Sequence, residues 1–252
     1  MSLLSFFGSK KSYITSGLLD DMTDIHCHIL PDVDDGVSEY EEAVDSLHWL
    51  KSKGVSRMYL TPHVMSDFSE NTSGYLSEKF DFFVKRLEND GIGDIPDLRL
   101  GAEYMLEAAF EKQKAEGLLT YADHHVLIET SYIMPPVGFL SLLEELMESG
   151  YSPVLAHPER YTYMDMDDYK ALKGQGIKFQ LNFLSMTGAY GPFARKKAIQ
   201  LLKEDFYDYT GSDFHYLARH KDAFSAEMLT PKQISRLQIL FRNNRKLWET
   251  DE

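Results

Sequence analysis

Asp24-Ile25-His26-Cys27-His28-Ile29-Leu30-Pro31, with Asp34-Asp35-Gly36 close behind, is the stretch whose reading decides the fold. Strand side chains alternate faces, so two histidines at i and i+2 in an apolar run project to one side of a strand. Two imidazoles at one strand end can grip a metal ion, and Asp35 can hold another. Taken alone, H-x-H reads equally well as two solvent-facing histidines on an edge strand. The remainder of the chain decides between the two.

Further strand-like runs also end in residues of ligand type. Residues 57–62 lead to His63, 97–102 to Glu103, 125–128 to Glu129 and 152–156 to His157. Residues 207–212 lead to Asp213, with His215 two positions on. Amphipathic segments of helical length lie between these runs. One helix spans 38–53, with a Ser38 cap, acidic Glu39, Glu41 and Glu42 in its first turn and a stop at Gly54. Others are expected to 89 and over 106–116, 135–149, 167–173, 192–204 and 231–248. Strands are expected over 23–30, up to 63, 103, 129 and 157, over 177–183, and up to 213. The pattern is α/β, a succession of seven βα units. Functional residues in such folds gather at the carboxyl ends of parallel strands. His, Asp and Glu therefore converge at the mouth of a barrel as a multinuclear metal site.

Composition agrees with an enzyme of this kind. A chain of 252 residues suits one α/β barrel domain. With 43% hydrophobic and 13% aromatic residues it can bury a sizeable core. The single Cys27 excludes an internal disulfide and suits a cytoplasmic protein; lying between the two histidines, it should point away from them. A net charge of −14 argues against general nucleic-acid binding but not against phosphate esters, since bound cations reverse the local field. No stretch reaches the length of a membrane span. The opening with Phe6-Phe7 and Lys10-Lys11 has too short an apolar run and the wrong charge order for a secretory signal. Residues 1–22 read as a flexible N-terminal extension and 23–252 as the domain.

Taken together, His26-Cys27-His28 with Asp34-Asp35-Gly36, Thr61-Pro62-His63, Gly101-Ala102-Glu103, Leu127-Ile128-Glu129, His157-Pro158-Glu159-Arg160 and Ser212-Asp213-Phe214-His215 resemble the polymerase-and-histidinol-phosphatase (PHP) superfamily. The closer match is to its bacterial protein-tyrosine-phosphatase branch, encoded with capsule and exopolysaccharide machinery. The resemblance runs in order from about residue 23 to 220. It implies a distorted seven-stranded (β/α) barrel of PHP type with three divalent metal ions, manganese foremost and iron or zinc as alternatives. By the same resemblance, His26, His28, Glu103 and Asp213 hold the first ion. Glu103 bridges to a second, completed by Glu129 and His157, and Asp35, His63 and His215 hold the third.

Clustered divalent ions lower the pKa of a bound water, give hydroxide at neutral pH and clamp phosphoryl oxygens for in-line attack. A phosphomonoester is a dianion, so a fixed guanidinium adds bidentate grip. Arg160, three residues after His157, is the expected phosphate clamp; as a bland alternative it pairs at the surface with Glu159 or Asp165. Family members often carry a second arginine shortly after the last histidine, and Arg219 and His220 both stand in that window. Arg219 is the choice there, beside the reading of a solvated surface pair. Asp34 is either an alternative to Asp35 or a partner that orients a histidine. Tyr161, Tyr163 and Phe183 form an aromatic wall or ordinary core, and Met134-Pro135-Pro136 could line the mouth. His48 reads as structural, and His124 and His125 fall at the wrong end of their strand.

The leading expectation is a metal-dependent protein-tyrosine phosphatase that dephosphorylates a membrane-associated tyrosine kinase controlling polysaccharide export. Cys27 lacks the C-x-x-x-x-x-R setting of thiol phosphatases. The alternatives are a small-molecule phosphatase of histidinol-phosphate type and a metal-binding regulatory module without turnover. The module predicts eroded ligands, whereas every ligand position here holds a competent residue.

Overall fold

The structure is a computed structural model that describes residues 9–122 and 124–251. Phe6-Phe7 and the start of the N-terminal extension lie outside the described residues. The strands are β1 (Met22–Asp24), β2 (Val55–Leu60), β3 (His63–Val64), β4 (Asp97–Leu100), β5 (Glu103–Met105), β6 (His125–Glu129), β7 (Ser152–Ala156), β8 (Lys178–Asn182) and β9 (Tyr209–Gly211). The helices are α1 (Tyr13–Ser16), α2 (Tyr40–Ser52), α3 (Ser73–Asn89), α4 (Phe110–Glu116), α5 (Phe139–Glu148), α6 (Met166–Gly174), α7 (Gly191–Lys203), α8 (Leu217–Ser225) and α9 (Pro231–Thr250). Among the described residues no helix is long and apolar enough to cross a membrane.

Every pairing between these strands is parallel. They form two sheets, one in the order β1-β2-β4 and one in the order β3-β5-β6-β7-β8-β9. The division has a local cause. The expected strands ending at His63 and Glu103 are each interrupted, at Thr61-Pro62 and at Gly101-Ala102. Pro62 has no N–H for a ladder, but its carbonyl accepts from Glu103 N at 3.1 Å. Gly101 N donates to Leu60 O at 2.8 Å, and a Cβ at Gly101 would lie 2.9 Å from the Tyr121 ring. The chain thus steps from the first sheet into the second at these two points.

The expected strand over 23–30 stops at Asp24, and the backbone over 25–30 is irregular but bonded on both sides. Asp213 N donates to His26 O, His28 N to Phe214 O and Thr61 N to Cys27 O, each at 2.8 Å. Cys27 itself is buried and donates from Sγ to Tyr59 O, away from the histidines. Beneath the strands, the fully buried Asn244 of α9 donates to Thr23 O and Thr210 O and accepts from Thr210 N, fastening α9 to β1 and β9.

The N-terminal extension does not stand apart over its described part. Lys11 pairs with Leu229, and Tyr13 is fully buried with its hydroxyl on Phe183 O at 2.7 Å. Leu18, Leu19 and Met22 are buried as well, so this part of the segment packs several side chains against the domain. Two helices, the short α1 and α8, fall in segments for which the periodicity predicts nothing regular.

Candidate metal centre

The ligand-type residues gather where the strands end. His63 opens β3, Glu103 opens β5 and Glu129 closes β6. His157 follows β7, and Asp213 and His215 follow β9. His26, His28, Glu103, Glu129, His157 and Asp213 are buried, whereas Asp35, His63 and His215 sit at the mouth. His157 and Asp213 hold positive φ, 33° and 52°. Such backbone costs roughly 1–3 kcal/mol and persists where its surroundings over-determine it, commonly at functional sites.

Their donor atoms form four overlapping groups, each compact enough for one metal ion: His28, Asp35, His63 and His215; His26, His28 and Asp213; His26, Glu103 and His157; His63, Glu103 and Glu129. All nine expected ligands belong to at least one group. The division differs from the one that the resemblance implies: His28 also joins the mouth group, and His63 also faces the two glutamates. Glu103 is central. Its Oε2 lies 3.1 Å from His26 Nε2, 3.2 Å from His63 Nδ1 and 3.5 Å from His28 Nε2, and its Oε1 lies 3.0 Å from His157 Nε2.

The donor set fits a cation. Burying this many acids and imidazoles is costly unless they are paired or coordinating. Yet Glu103 Oε2, His63 Nδ1 and His157 Nδ1 are buried without a hydrogen-bond partner among the described residues. The short approaches to Oε2 lack hydrogen-bond direction, so Glu103 Oε2 and His63 Nδ1 face a shared space and not one another. Tautomers point the same way. Asp34 Oδ2 takes the Nδ1 proton of His28 at 2.8 Å, and Gln180 Oε1 takes that of His26 at 3.0 Å. The two Nε2 lone pairs are then left 3.2 Å apart, an arrangement suited to a positive ion between ligands that outer partners have oriented.

Asp34 is therefore placed as an orienting residue. It also accepts from His63 N and Gly36 N, at 3.0 Å each. A side chain at Gly36 would press its Cβ to 2.1 Å from His28 O, so this turn admits only glycine so close to the histidine. Asp35, by contrast, reaches the mouth, 3.5 Å from Nε2 of both His63 and His215.

Electrostatics reflect this crowding. Burial pushes Asp213 upward, but hydrogen bonding from His28 and the charges of His26, His215 and Arg160 outweigh it and hold the carboxyl well below its usual range. Glu103 behaves likewise, with His26 and His63 overcoming burial. Burial and His28 pull His63 down, yet Glu103 and Glu129 raise it to about 9. Without a cation the carboxylates favour the protonated form of His26, His28 and His63.

Above the centre lies a cleft of ≈ 170 Å³ lined in part by Tyr132, Arg160, Tyr190, Tyr216 and Arg219. The Arg160 guanidinium lies 4.2 Å from the Tyr132 ring and 4.3 Å from the Tyr190 ring, and that of Arg219 lies 4.3 Å from Tyr190. Arg219 also donates to Ala189 O at 3.1 Å. His220 is elsewhere: it is buried against Phe214, and burial holds it at about 4. His48 is exposed with Nε2 on Gly93 O, and His124 and His125 lie at the start of β6, opposite to Glu129.

Sequence reasoning overlooks Gln180, Asn182, Tyr132 and Tyr190. Gln180 and Asn182 carry a usable signal, because two polar residues at i and i+2 on an otherwise buried strand repeat the spacing of His26 and His28. Tyr161 and Phe183 do not form an aromatic wall. Both are fully buried, and the Tyr161 hydroxyl donates to Ala156 O at 3.0 Å.

Comparison with known proteins agrees with this architecture. The sequence model of the family described as capsular polysaccharide synthesis, CpsB/CapC, matches residues 22–246. Tyrosine-protein phosphatase YwqE of Bacillus subtilis is 29% identical over 199 residues, 77% of this chain and 77% of that protein. Tyrosine-protein phosphatase CpsB of Streptococcus pneumoniae is 29% identical over 209 residues, 78% of this chain and 84% of that protein. A crystal structure from work on YwqE of Bacillus subtilis and CpsB of Streptococcus pneumoniae, described as unique metal-dependent tyrosine phosphatases, superposes with a TM-score of 0.76. It is 24% identical, covers 92% of this chain and 96% of that one, and speaks for the fold. With the family match spanning most of its length, the chain belongs to the CpsB/CapC family of capsular polysaccharide synthesis.

Proposed function

We propose that the protein is a cytoplasmic, metal-dependent protein-tyrosine phosphatase that dephosphorylates a membrane-associated tyrosine kinase regulating capsular or exopolysaccharide synthesis. The observation that carries this reading is the convergence of nine imidazole and carboxylate side chains beneath two arginines in one cleft. The tyrosine-phosphatase names of YwqE and CpsB support the substrate class.

The proposed fold is a distorted seven-stranded (β/α) barrel, supported by the hydrogen bonds that join residues 26–28 to 213–214 on one side and to Thr61 on the other. The proposed cofactors are three divalent ions, manganese foremost. His26, His28, Glu103 and Asp213 would hold one, Glu103, Glu129 and His157 a second, and Asp35, His63 and His215 a third. Ions held there would supply Lewis-acid neutralisation of phosphoryl charge and activation of water at neutral pH. The chain's own residues do the positioning. Asp34 and Gln180 fix the two histidine tautomers. Arg160 binds the phosphoryl oxygens and stabilises charge that builds up as the ester bond breaks, and Arg219 adds a second cation at the rim. The Tyr132 and Tyr190 rings flank the Arg160 guanidinium and restrict its movement.

Hydrolysis of a tyrosine-phosphorylated peptide and of histidinol phosphate, by protein stripped of metal and then resupplied with manganese, tests the reading. Metal-restored turnover that prefers the peptide is expected. Preference for histidinol phosphate would move the function to small-molecule metabolism, and turnover of neither by metal-loaded protein would leave a binding module.

A further inference from the structure

The cleft over the centre has room for a phosphoryl group and little of a polypeptide, at ≈ 170 Å³. Beside it lies a second groove of ≈ 670 Å³, lined mainly by apolar residues that include Met65, Met105, Leu106, Met134, Val137 and Leu142. The groove starts where the ligands stop. Met65 stands two residues after His63, Met105 two after Glu103 and the lining residue Ser131 two after Glu129. These are the ends of adjacent strands β3, β5 and β6. Within β5, residues two apart face the same side, so one strand serves first the centre and then the groove.

The outer wall is the loop 131–137. Its base is fixed, with Tyr132 O accepting from Thr162 N at 2.8 Å and from Thr162 Oγ1 at 2.9 Å. Its tip is apolar and open to solvent: Ile133 is 76% exposed, Met134 64% and Val137 101%. A single exposed apolar residue needs no explanation, but a contiguous run that borders a cleft marks an interaction surface.

We infer that this groove binds apolar side chains flanking the phosphotyrosine of the substrate polypeptide, and so sets specificity for the reaction. The inference rests on the proposed phosphatase activity. Tyr132 lines the cleft and its neighbour Ser131 the groove, which makes the substrate chain itself the occupant, because a peptide whose phosphotyrosine enters the cleft must leave across this rim. Asp67, Glu107 and Glu111 also line the groove. These carboxylates disfavour acidic flanks, and they disfavour an anionic lipid surface, which calls for lysine and arginine around an apolar wedge.

The test compares kcat/KM of the full-length, manganese-loaded protein on two phosphotyrosine peptides of equal length and charge, one with leucine and one with serine on both sides of the tyrosine. para-Nitrophenyl phosphate serves as the small substrate, and the variant is Met134→Ser with Val137→Ser, at positions exposed enough to spare the fold. The wild type should prefer the leucine peptide roughly tenfold, the scale of one partly buried apolar side chain. The variant should lose that preference through the leucine peptide alone, with para-nitrophenyl phosphate turnover unchanged. Equal rates on both peptides by the wild type, or a preference retained by the variant, overturn the groove and leave the phosphatase standing. Turnover of para-nitrophenyl phosphate with neither peptide cleaved overturns the tyrosine-phosphatase reading and the groove together. Sedimentation with phosphatidylglycerol vesicles by the wild type but not the variant, with peptide preference unaltered, assigns the loop to lipid instead.

Discussion

Arg160 donates from Nη1 to Oδ2 of Asp213 at 3.0 Å, so the proposed phosphate clamp is hydrogen-bonded to a proposed metal ligand. Asn182 Nδ2 and the Tyr190 hydroxyl donate to the same oxygen at 2.7 and 2.8 Å. Three donors saturate Oδ2 and leave Oδ1 to face His26, His28 and His215, at 3.6, 3.5 and 3.4 Å. The clamp is thereby oriented before any phosphate arrives.

Replacement of Arg160 separates charge from shape. Arg160→Lys keeps the cation but loses the planar fork that engages two phosphoryl oxygens. Arg160→Ala loses both and should lower kcat by about 10²–10³, the usual effect of removing one preorganised donor, with the lysine variant in between. Two donors to Asp213 Oδ2 remain in either variant, so manganese content should not change. Metal analysis alongside phosphopeptide kinetics checks this. Activity within a few-fold of wild type would reject Arg160 as the clamp.

Metal uptake should expel protons. In the metal-free protein His63 keeps its proton to about pH 9, and the carboxylates of Asp34, Asp213 and Glu103 overcome burial to raise His28 well above its usual value. Ligation requires the neutral imidazole. Manganese binding at pH 7 should therefore release at least one proton, and its apparent affinity should climb as pH rises toward 9. The proton stabilises the metal-free fold most below about pH 6.5, and that contribution fades as pH passes through 9. Calorimetric titration in buffers of different ionisation enthalpy measures the release; buffer-independent heats would contradict it.

The candidate ligands were legible because most of them stand at the close of a strand-like run, and such a run is read from short-range pattern alone, although His63 and Glu103 in fact open the short strands β3 and β5. The ladder of βα units is legible for the same reason. The break into two sheets was not, although Pro62 and Gly101 stand in plain sight. A proline or glycine inside a strand-like run signals interruption, but whether the chain then changes sheet depends on where Tyr121 and Thr61 pack. Tyr190 and Tyr161 show the other limit. Both are tyrosines near the motifs in sequence or space, yet one reaches Asp213 and the other Ala156 O in the core, and only the tertiary fold separates them. The N-terminal segment misleads because the polar run 9–12 precedes Tyr13, whose ring packs against Phe183 and Phe224 from far along the chain.

Tyr190 should align both arginines. Its ring lies against Arg160 and Arg219, and its hydroxyl bonds Asp213. Tyr190→Phe retains the ring and should change KM little, with kcat falling a few-fold as Asp213 loses one donor. Tyr190→Leu removes both cation–π contacts, each worth about 0.5–2 kcal/mol, and should raise KM and the inhibition constant of inorganic phosphate by roughly tenfold or more. If both variants bind phosphate as the wild type does, the ring has no aligning role.

His220 should make the fold sensitive to acid independently of the metals. It is 1% exposed, and burial lowers it to about 4, against weaker upward pulls from the carbonyls of Tyr216 and Ser212. An unfolded histidine titrates near 6.5. Between these values the unfolded chain takes a proton that the folded chain refuses, so stability falls as pH drops from about 6.5 toward 4, by about 3 kcal/mol in all. His220→Gln keeps a donor for the Tyr216 carbonyl but cannot titrate in this range. Urea unfolding of metal-free protein at pH 7.5, 6 and 5 should show a shallower loss for the variant, and parallel losses would mean that the buried ring carries no such proton linkage.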